Sequence, residues 1–324
     1  MELFMDVSAQ VGVLFLLIAA GFSCAKLGYI SSSVSKGLSE FVINFVTPCV
    51  ILNAFQSQMQ NADIGRLLIA VAAAAGSMVV PILLFRLAFA GLRHRRGRGA
   101  ARSAAASGRS TSKTALMEFA SVYSNCGFMG LPLLEAIFGG EGIVYGTMYI
   151  IVFNLLVFTH GIMIISGEHF SLKSLGRVLL SPAILAVGAS FAMFALKIRL
   201  PEPFYGAVGH MAALNTPLPM VIIGVRIAES NLREFFTDRL LLPPVLIRNL
   251  IIPLCTLCAL LVLGLRGPML GICVLTAAMP VAGNTVIFAE RYNANAQYAS
   301  GVLTLSTLAS ILTVPFIVTL AMLS

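Results

Sequence analysis

The sequence predicts an all-α polytopic membrane protein, and three observations lead to that prediction. Hydrophobic residues make up 58% of the 324 residues, and charged residues make up only 10%. The mean hydropathy is +0.95, and a soluble chain of this length cannot bury so much apolar sequence. Apolar runs fill nearly the whole chain, and about 20 such residues are enough for one helix to cross a bilayer core about 30 Å thick.

Ten transmembrane helices are predicted where apolar runs lie between charged or Gly-, Pro- and Ser-rich breaks. The spans are residues 9–28, 38–56, 66–92, 114–138, 142–166, 174–197, 204–225, 239–264, 268–289 and 296–322. They divide into a first repeat, residues 1–166, and a second repeat, residues 167–324. Because each half holds an odd number of spans, the two halves run through the membrane in opposite directions. The prediction is therefore a 5+5 inverted repeat.

Two pairs of segments support the internal repeat. The stretch "VINFVTPCVIL" in span 2 resembles "ALNTPLPMVII" in span 7, which matches Pro48 with Pro217. The segment of spans 4 and 5 that begins at Ser124 can be laid on the segment of spans 9 and 10 that begins at Ala278. We expect Pro48 and Pro217 to be helix breaks or hinges at equivalent places in the two halves. Inverted repeats of this kind are the architecture of secondary transporters.

The distribution of basic residues predicts the orientation in the membrane. The long polar insert between spans 3 and 4 has its basic part at residues 93–113. If this insert is a cytoplasmic loop, fifteen Lys and Arg residues lie inside and four lie outside. The positive-inside rule then places both termini of this multi-pass inner-membrane protein outside. The insert lacks aromatic residues that stack on bases, so we expect the lipid bilayer, and no nucleic acid, as its partner.

The candidate substrate site lies where spans 4 and 9 are interrupted. Gly weakens a helix, and Pro removes a main-chain donor, so "SNCGFMGLP" and "MPVAGN" are expected to be broken or crossing helices at the middle of the membrane. Exposed main-chain groups there are tolerated around an enclosed or watery cavity. The alternative is that Gly and Pro make only ordinary kinks and close packing. The predicted site residues are Asn125, Gly127, Gly130, Pro132, Pro280 and Asn284.

Arg248 lies inside span 8 with no acidic residue near it in the sequence. A charged side chain in the membrane is costly, so it is a functional candidate by default. Its guanidinium suits a carboxylate substrate. Two other interpretations stay open: the side chain extends to the cytoplasmic face, or it satisfies carbonyls of the broken helices.

Several kinds of chemistry have no support in the sequence. No Walker loop, HExxH motif or Ser/His/Asp arrangement is present, so we expect neither an enzyme nor a cofactor or metal site. The Cys255-x-x-Cys258 pair has no second Cys pair or His cluster beside it, which favours core thiols. Among the other titratable residues of the predicted spans, we expect Glu118 and Glu135 to be interfacial and His160 and His210 to be packed through hydrogen bonds. A proton relay through the two histidines is the alternative.

These residues and motifs resemble the auxin efflux carrier family, which includes bacterial malate and malonate permeases. Asn125, Gly127, Gly130 and Pro132 are similar to the Asn-x-Gly-x-x-Gly-x-Pro signature of that family. The C-terminal block is similar to the Met-Pro crossover and the Ser-Thr, Ser and Pro pattern that follows it, here Met279, Pro280, Ser306, Thr307, Ser310 and Pro315. The resemblance covers nearly all ten spans.

The resemblance implies how such a chain works. It implies a scaffold of spans 1, 2, 6 and 7 and a transport domain of spans 3–5 and 8–10, with spans 4 and 9 crossing at their breaks. It also implies alternating access and a small organic anion as substrate. The long central hydrophilic loop of the plant carriers is absent, which favours a compact bacterial-type member.

We therefore expect a secondary transporter of small organic anions, carboxylates in particular, with a homodimer among its possible states. One alternative is a Na⁺- or H⁺-coupled carrier of a neutral or cationic solute. Another, from a different class, is a membrane-embedded receptor, which would bind ligand without flux.

Overall fold

The fold is known from a computed structural model that describes residues 2–57, 64–95, 113–166, 176, 179–230, 235, 238–292 and 294–324. Within these ranges every regular element is a helix and no strand forms, which confirms the all-α prediction. Most of the basic insert lies outside the described residues, as does the start of the predicted second repeat at residues 167–175.

The described residues form fifteen α-helices, and seven of them precede residue 167. They are α1 Glu2–Lys26, α2 Ser32–Phe41, α3 Thr47–Ser57, α4 Ile64–Arg95, α5 Lys113–Val122, α6 Leu131–Leu156 and α7 Ile162–Ser166. Single π-helical turns join α2 to α3 and α6 to α7, and a third π turn, Cys126–Gly130, leads into α6.

Eight α-helices follow. They are α8 Pro182–Ala195, α9 Glu202–Ala212, α10 Pro217–Glu229, α11 Leu242–Leu246, α12 Ile252–Val262, α13 Gly267–Ala278, α14 Asn284–Arg291 and α15 Ala296–Met322. A 3₁₀ turn at Ala213–Asn215 separates α9 from α10, and a π turn at Ile247–Ile251 separates α11 from α12.

Three of the π turns have a common cause. Each is followed by a helix whose second residue is proline, namely Pro48, Pro132 and Pro253. A proline ring clashes with the carbonyl four residues earlier and donates no hydrogen bond. The wider π turn closes with bonds over five residues instead, as from the Leu131 amide to the Cys126 carbonyl, so the helix continues through the proline.

Seven helical segments of the described chain are long and apolar enough to cross a membrane. They are Val7–Lys26, Ser32–Ser57, Gly65–Phe85, Cys126–Ser166, Glu202–Glu229, Arg239–Val262 and Ala296–Met322. Two shorter apolar helices, α8 and α13, fall where spans 6 and 9 are predicted. The number is lower than the predicted ten because span 9 is interrupted, span 6 begins near residues that are not described, and Cys126–Ser166 joins two predicted spans.

The chain reverses direction inside α6. Gly139 has φ 59° and ψ −148°, a conformation that is open almost only to glycine. A Cβ at Gly142 would overlap the Leu134 carbonyl, and one at Gly146 would overlap the Leu134 side chain. In a straight helix these residues would be more than two turns apart. The two arms of Cys126–Ser166 therefore pack against each other as a hairpin, with its turn where the sequence predicts one.

The helices pack in two groups. In the first group, α1 lies along α10, and α3 packs against α8 and α9. The second group contains α4–α7 and α11–α15, with α13 in contact with α6, α12 and α15. The groups meet where α1 contacts α15 and where α3 contacts α6.

Large apolar side chains cover much of the outer surface. Leu16 is 72% exposed, Phe45 60% and Leu312 78%. Exposure of this kind is unfavourable in water and is typical of a surface that contacts lipid. The chain is a multi-pass membrane protein.

Candidate functional site

Two extended segments cross between α5 and α6 on one side and between α13 and α14 on the other. The amide of Asn125 donates to the Pro280 carbonyl at 2.7 Å, and the amide of Ala282 donates to the Tyr123 carbonyl at 3.0 Å. Ser124 and Val281 thereby form an isolated antiparallel bridge. We call residues 123–125 and 279–283 together the crossing.

Local sequence explains why the helices stop at the crossing. Met279 has φ −60° and ψ 146°, and a residue that precedes proline is driven into this extended region. Pro280 has no amide hydrogen, but its carbonyl accepts from Asn125 across the crossing. The first half-helix resumes when the Asn125 carbonyl accepts from the amides of Met129 and Gly130, both at 3.2 Å. One main-chain hydrogen bond in each direction thus joins the two breaks.

The crossing brings four helix ends together. The carboxyl ends of α5 and α13 meet there, and the amino ends of the Cys126–Gly130 turn and of α14 begin there. The first amides of a helix have no acceptor within it, and the helix dipole makes this end favourable for anions. Gly127 and Gly283 lie at these amino ends, are partly exposed, and have no atom within 4 Å of a Cβ position. There is therefore open space beside both.

The side chain of Arg248 donates hydrogen bonds to the carboxyl ends of both α5 and α13. Its Nη1 donates to the carbonyls of Ser121 at 3.2 Å and Val122 at 2.8 Å, and its Nη2 donates to the Ala277 carbonyl. Carboxyl ends of helices favour a cation. The side chain is 1% exposed, which excludes the interpretation that it extends to the cytoplasmic face. In this conformation Arg248 satisfies carbonyls of the broken helices.

Asn249 is a site residue that sequence reasoning missed. Its Nδ2 donates to the Ser306 carbonyl at 2.8 Å, and its Oδ1 accepts from the Ser306 hydroxyl at 2.6 Å. The same hydroxyl accepts from the Val281 amide at 2.9 Å. This network fixes the middle of the second crossing segment to α15. The signal in the sequence that could have indicated Asn249 is the polar pair Arg248-Asn249 inside an apolar span.

Unlike Asn249, Asn125 and Asn284 do not fix the crossing through side-chain hydrogen bonds. Asn125 is 7% exposed and Asn284 is half-buried, and neither side-chain amide forms a hydrogen bond within the described part of the chain. Both lie where a half-helix begins, Asn125 as the residue before the Cys126–Gly130 turn and Asn284 as the first residue of α14. Their amide groups are thus available beside the amino ends.

The other predicted residues lie close by. Gly130 sits under Met279, whose Cγ would be 3.5 Å from an added Cβ, and Pro132 begins α6 behind the crossing. Pro48 and Pro217 do not unwind their helices: the first follows a π turn and the second follows a 3₁₀ turn. Helix α10 contacts the Cys126–Gly130 turn, and α3 contacts α6, so both proline-marked helices border the site.

The titratable candidates agree with the prediction in part. Glu118 is 2% exposed, because α5 is enclosed by α4, α7, α11, α14 and α15. Glu135 is exposed. His160 is joined through Nδ1 to the Tyr123 hydroxyl at 2.9 Å, whereas His210 lies at the surface. No group of three His, Cys, Asp or Glu residues in the described ranges could hold a metal ion, and all six cysteines are free thiols.

A cavity of about 650 Å³ lies between α2 and the end of α10 on one wall and α14 and α15 on the other. Val286 and Ile287, within one turn of Asn284, are among its lining residues, and so are the charged residues Lys36, Glu40, Arg226, Glu229 and Glu290. We call this space the vestibule.

Comparison with known proteins finds sequence matches to transporters. An uncharacterized transporter of Methanothermobacter thermautotrophicus is 26% identical over 318 residues, which are 97% of this chain and 98% of that protein. The family described as "Membrane transport protein" matches residues 6–318. The chain therefore belongs to this membrane transport family, the auxin efflux carrier family that its motifs resemble.

Proposed function

We propose that the chain is a secondary transporter that moves small organic anions, carboxylates in particular, by alternating access. The observation that carries this proposal is the pair of helix amino ends that begin at the crossing with open space beside Gly127 and Gly283. An anion is favoured at such ends by the free amides and by the helix dipoles. Membership of a transport family makes movement across the membrane the natural outcome of binding.

In this proposal the site residues have distinct roles. Asn125 and Asn284 donate side-chain hydrogen bonds to the substrate carboxylate, beside the amides that follow them. Gly127 leaves space for the substrate, Gly130 lets Met279 pack closely against the turn, and Pro132 and Pro280 maintain the two breaks. Arg248 supplies a positive charge behind the crossing. It acts through the helix ends, because its Nη atoms already donate to carbonyls.

We further propose that the fold is the 5+5 inverted repeat with ten spans. The reversal at Gly139 gives Cys126–Ser166 the form of two spans. The short helix α8 and the interrupted pair α13 and α14 then supply the remaining two spans. The first helix group is the scaffold, and the second group, which carries the crossing, is the transport domain. Pro48 and Pro217 lie in the scaffold helices that border the site and act as its hinges.

The excess of basic residues on one side supports a cell-membrane protein with both termini outside. In this orientation the vestibule opens to the cytoplasm, because its lining residues Lys36 and Arg226, and Arg291 next to its lining residue Glu290, belong to the basic side.

Flux into proteoliposomes tests the proposal. The purified chain is reconstituted, and uptake of radiolabelled malonate, succinate and phenylacetate is measured against empty liposomes. We expect saturable uptake of at least one anion that Na⁺ replacement by choline does not abolish. Absence of flux for every carboxylate, with flux of a neutral or cationic solute instead, would contradict the proposal. Binding without flux would indicate a receptor.

The Asn125→Ala variant tests the site itself. We expect KM for the transported anion to rise about tenfold, because a hydrogen bond to a charged group is worth about 1.5–3 kcal/mol. Thermal stability should change little, because the side-chain amide has no partner to lose. Gln10→Ala, which removes an exposed amide on α1, is the matched control and should transport normally. An unchanged KM in Asn125→Ala would remove this residue from the site.

A further inference from the structure

The vestibule contains an arginine without a partner. Arg226 is half-buried in the last turn of α10, yet it forms no hydrogen bond, and no carboxylate lies within ion-pair distance in the part of the chain that the structure describes. A guanidinium carries five N–H donors in a planar fork. Its fork is therefore free to bind a planar anion from the vestibule.

Other charged side chains also line the vestibule. The Glu229 Oε2 accepts from the Ser32 hydroxyl at 3.3 Å, which ties the end of α10 to the start of α2. Lys36 and Glu40 are one turn apart on α2. The carboxylates of Glu290 and Glu229 both attract the Arg226 guanidinium, and Glu290 has the larger effect.

The two residues lie on different helix groups. Arg226 belongs to α10, which is held against α1 in the first group, whereas Glu290 belongs to α14 in the second group. The vestibule is the gap between them. A movement of the second group toward the first would close the vestibule and bring the Glu290 carboxylate to the Arg226 guanidinium.

We propose that Arg226 is a second carboxylate-binding residue, at which the substrate anion is received from the vestibule before it reaches the crossing. Glu290 is its competitor: the Arg226–Glu290 ion pair replaces the substrate when the vestibule closes. A volume of about 650 Å³ is within the usual range for sites that bind small molecules. The inference rests on the proposed transport of carboxylates.

The chemistry favours a carboxylate over other ligands. Arg and carboxylate form two parallel charge-assisted hydrogen bonds, and Ser35 and Thr304 provide hydroxyl groups on the surrounding walls. Partial burial of Arg226 strengthens such a bond relative to a fully exposed one.

The test uses proteoliposomes with substrate supplied at the vestibule side. Whichever of malonate, succinate or phenylacetate the unmodified chain transports is the probe. We expect Arg226→Gln to raise KM about tenfold from that side, with a smaller effect from the opposite side. Glu290→Gln removes the competitor, so KM should fall severalfold while turnover slows. The control Arg239→Gln removes an exposed arginine on the same side that is not among the lining residues, and it should leave both parameters unchanged.

The double substitution Arg226→Glu with Glu290→Arg distinguishes substrate binding by Arg226 from a purely structural role of the Arg226–Glu290 ion pair. The swap restores the ion pair but removes the guanidinium from its place on α10, so KM should stay raised although turnover recovers. A KM that returns to normal in the swap, or that never changed in Arg226→Gln, would overturn the inference while leaving the proposed function intact. Absence of carboxylate flux in the unmodified chain would instead overturn both.

Discussion

Two arginines, Arg248 at the crossing and Arg226 in the vestibule, show how differently the same side chain is used in two regions of this molecule. Arg248 is 1% exposed and its Nη atoms donate to carbonyls of two helix ends. Arg226 lies beside a cavity, and its donors are unoccupied within the described residues. A cation that replaces missing helix hydrogen bonds is part of the structure, whereas one that faces open space is available to a ligand.

The surroundings of the two residues follow the same distinction. At the crossing, main-chain bonds join Tyr123 with Ala282 and Asn125 with Pro280, and Asn249 and Ser306 hold the second segment from behind. In the vestibule the walls are polar side chains from separate helix groups, which are not joined across the gap by ion pairs in the described chain. We expect changes at the crossing to reduce stability and changes in the vestibule to alter transport.

The largest expected effect is that of Arg248→Ala. The substitution leaves three buried carbonyls at two helix ends without their donors, and each buried polar group left unsatisfied costs about 1–3 kcal/mol. The chain has no tryptophan, so thermal unfolding in detergent is followed with a thiol-reactive dye that detects exposure of the buried Cys126 and Cys273. We expect a marked fall in the unfolding midpoint.

Arg266→Ala is a close control for this prediction. Arg266 also donates to helix-end carbonyls, those of Leu261 at 3.0 Å and Leu265 at 2.9 Å, but it is exposed, so water can replace it. Its substitution should change the midpoint little. Equal effects of the two substitutions would show that burial of Arg248 is not what makes it important.

A smaller effect is expected for Gly224→Ala, which tests whether the wall that carries Arg226 is fixed. A Cβ at Gly224 would overlap the Ile18 carbonyl, because α1 and α10 are in main-chain contact there. Overpacking of this kind costs about 1–3 kcal/mol. Gly12→Ala, on α1 with no atom within 4 Å, should be neutral. If Gly224→Ala were equally neutral, α10 would be free to move relative to α1.

The smallest of the three expected effects is that of Ser306→Ala, which removes the hydroxyl between Asn249 and Val281. Two buried groups lose their partner, and we expect a loss of about 1–2 kcal/mol in the free energy of unfolding. Ser23→Ala, which removes an exposed hydroxyl bonded to its own helix at Ala19, provides the comparison. The dye assay used for Arg248 measures both variants.

Much of the fold was predictable because a bilayer makes strong demands on sequence. Apolar runs must be helical, since main-chain groups have no other partner in lipid, and the prediction of an all-α membrane protein is confirmed. The turn at Gly139–Gly142 and the interruptions near Asn125 and Pro280 were also readable, because Gly and Pro act locally. Pro48 and Pro217 show the limit of this logic: a π turn or a 3₁₀ turn can accommodate a proline without unwinding the helix.

Most residues of the candidate site were predictable from the sequence, but their hydrogen-bond partners were not. The sequence marked Arg248 as a costly charge, and three roles for it were equally consistent with its neighbours in the chain. Its partners, Ser121, Val122 and Ala277, are between 29 and 127 residues away along the chain. Asn249 was missed because an amide in an apolar helix has no local signature of its partner.

The sequence by itself therefore determined the class of the molecule and the positions of its helix breaks, because hydropathy and the geometry of Gly and Pro are properties of short segments, and its motifs indicated the transport family by resemblance. Only the tertiary structure decided that main-chain hydrogen bonds join the two breaks, that Arg248 is committed to helix ends and that Arg226 has no hydrogen-bond partner among the described residues. Those facts depend on which groups meet after folding, and a buried polar group takes whichever partner the packing brings within hydrogen-bond distance.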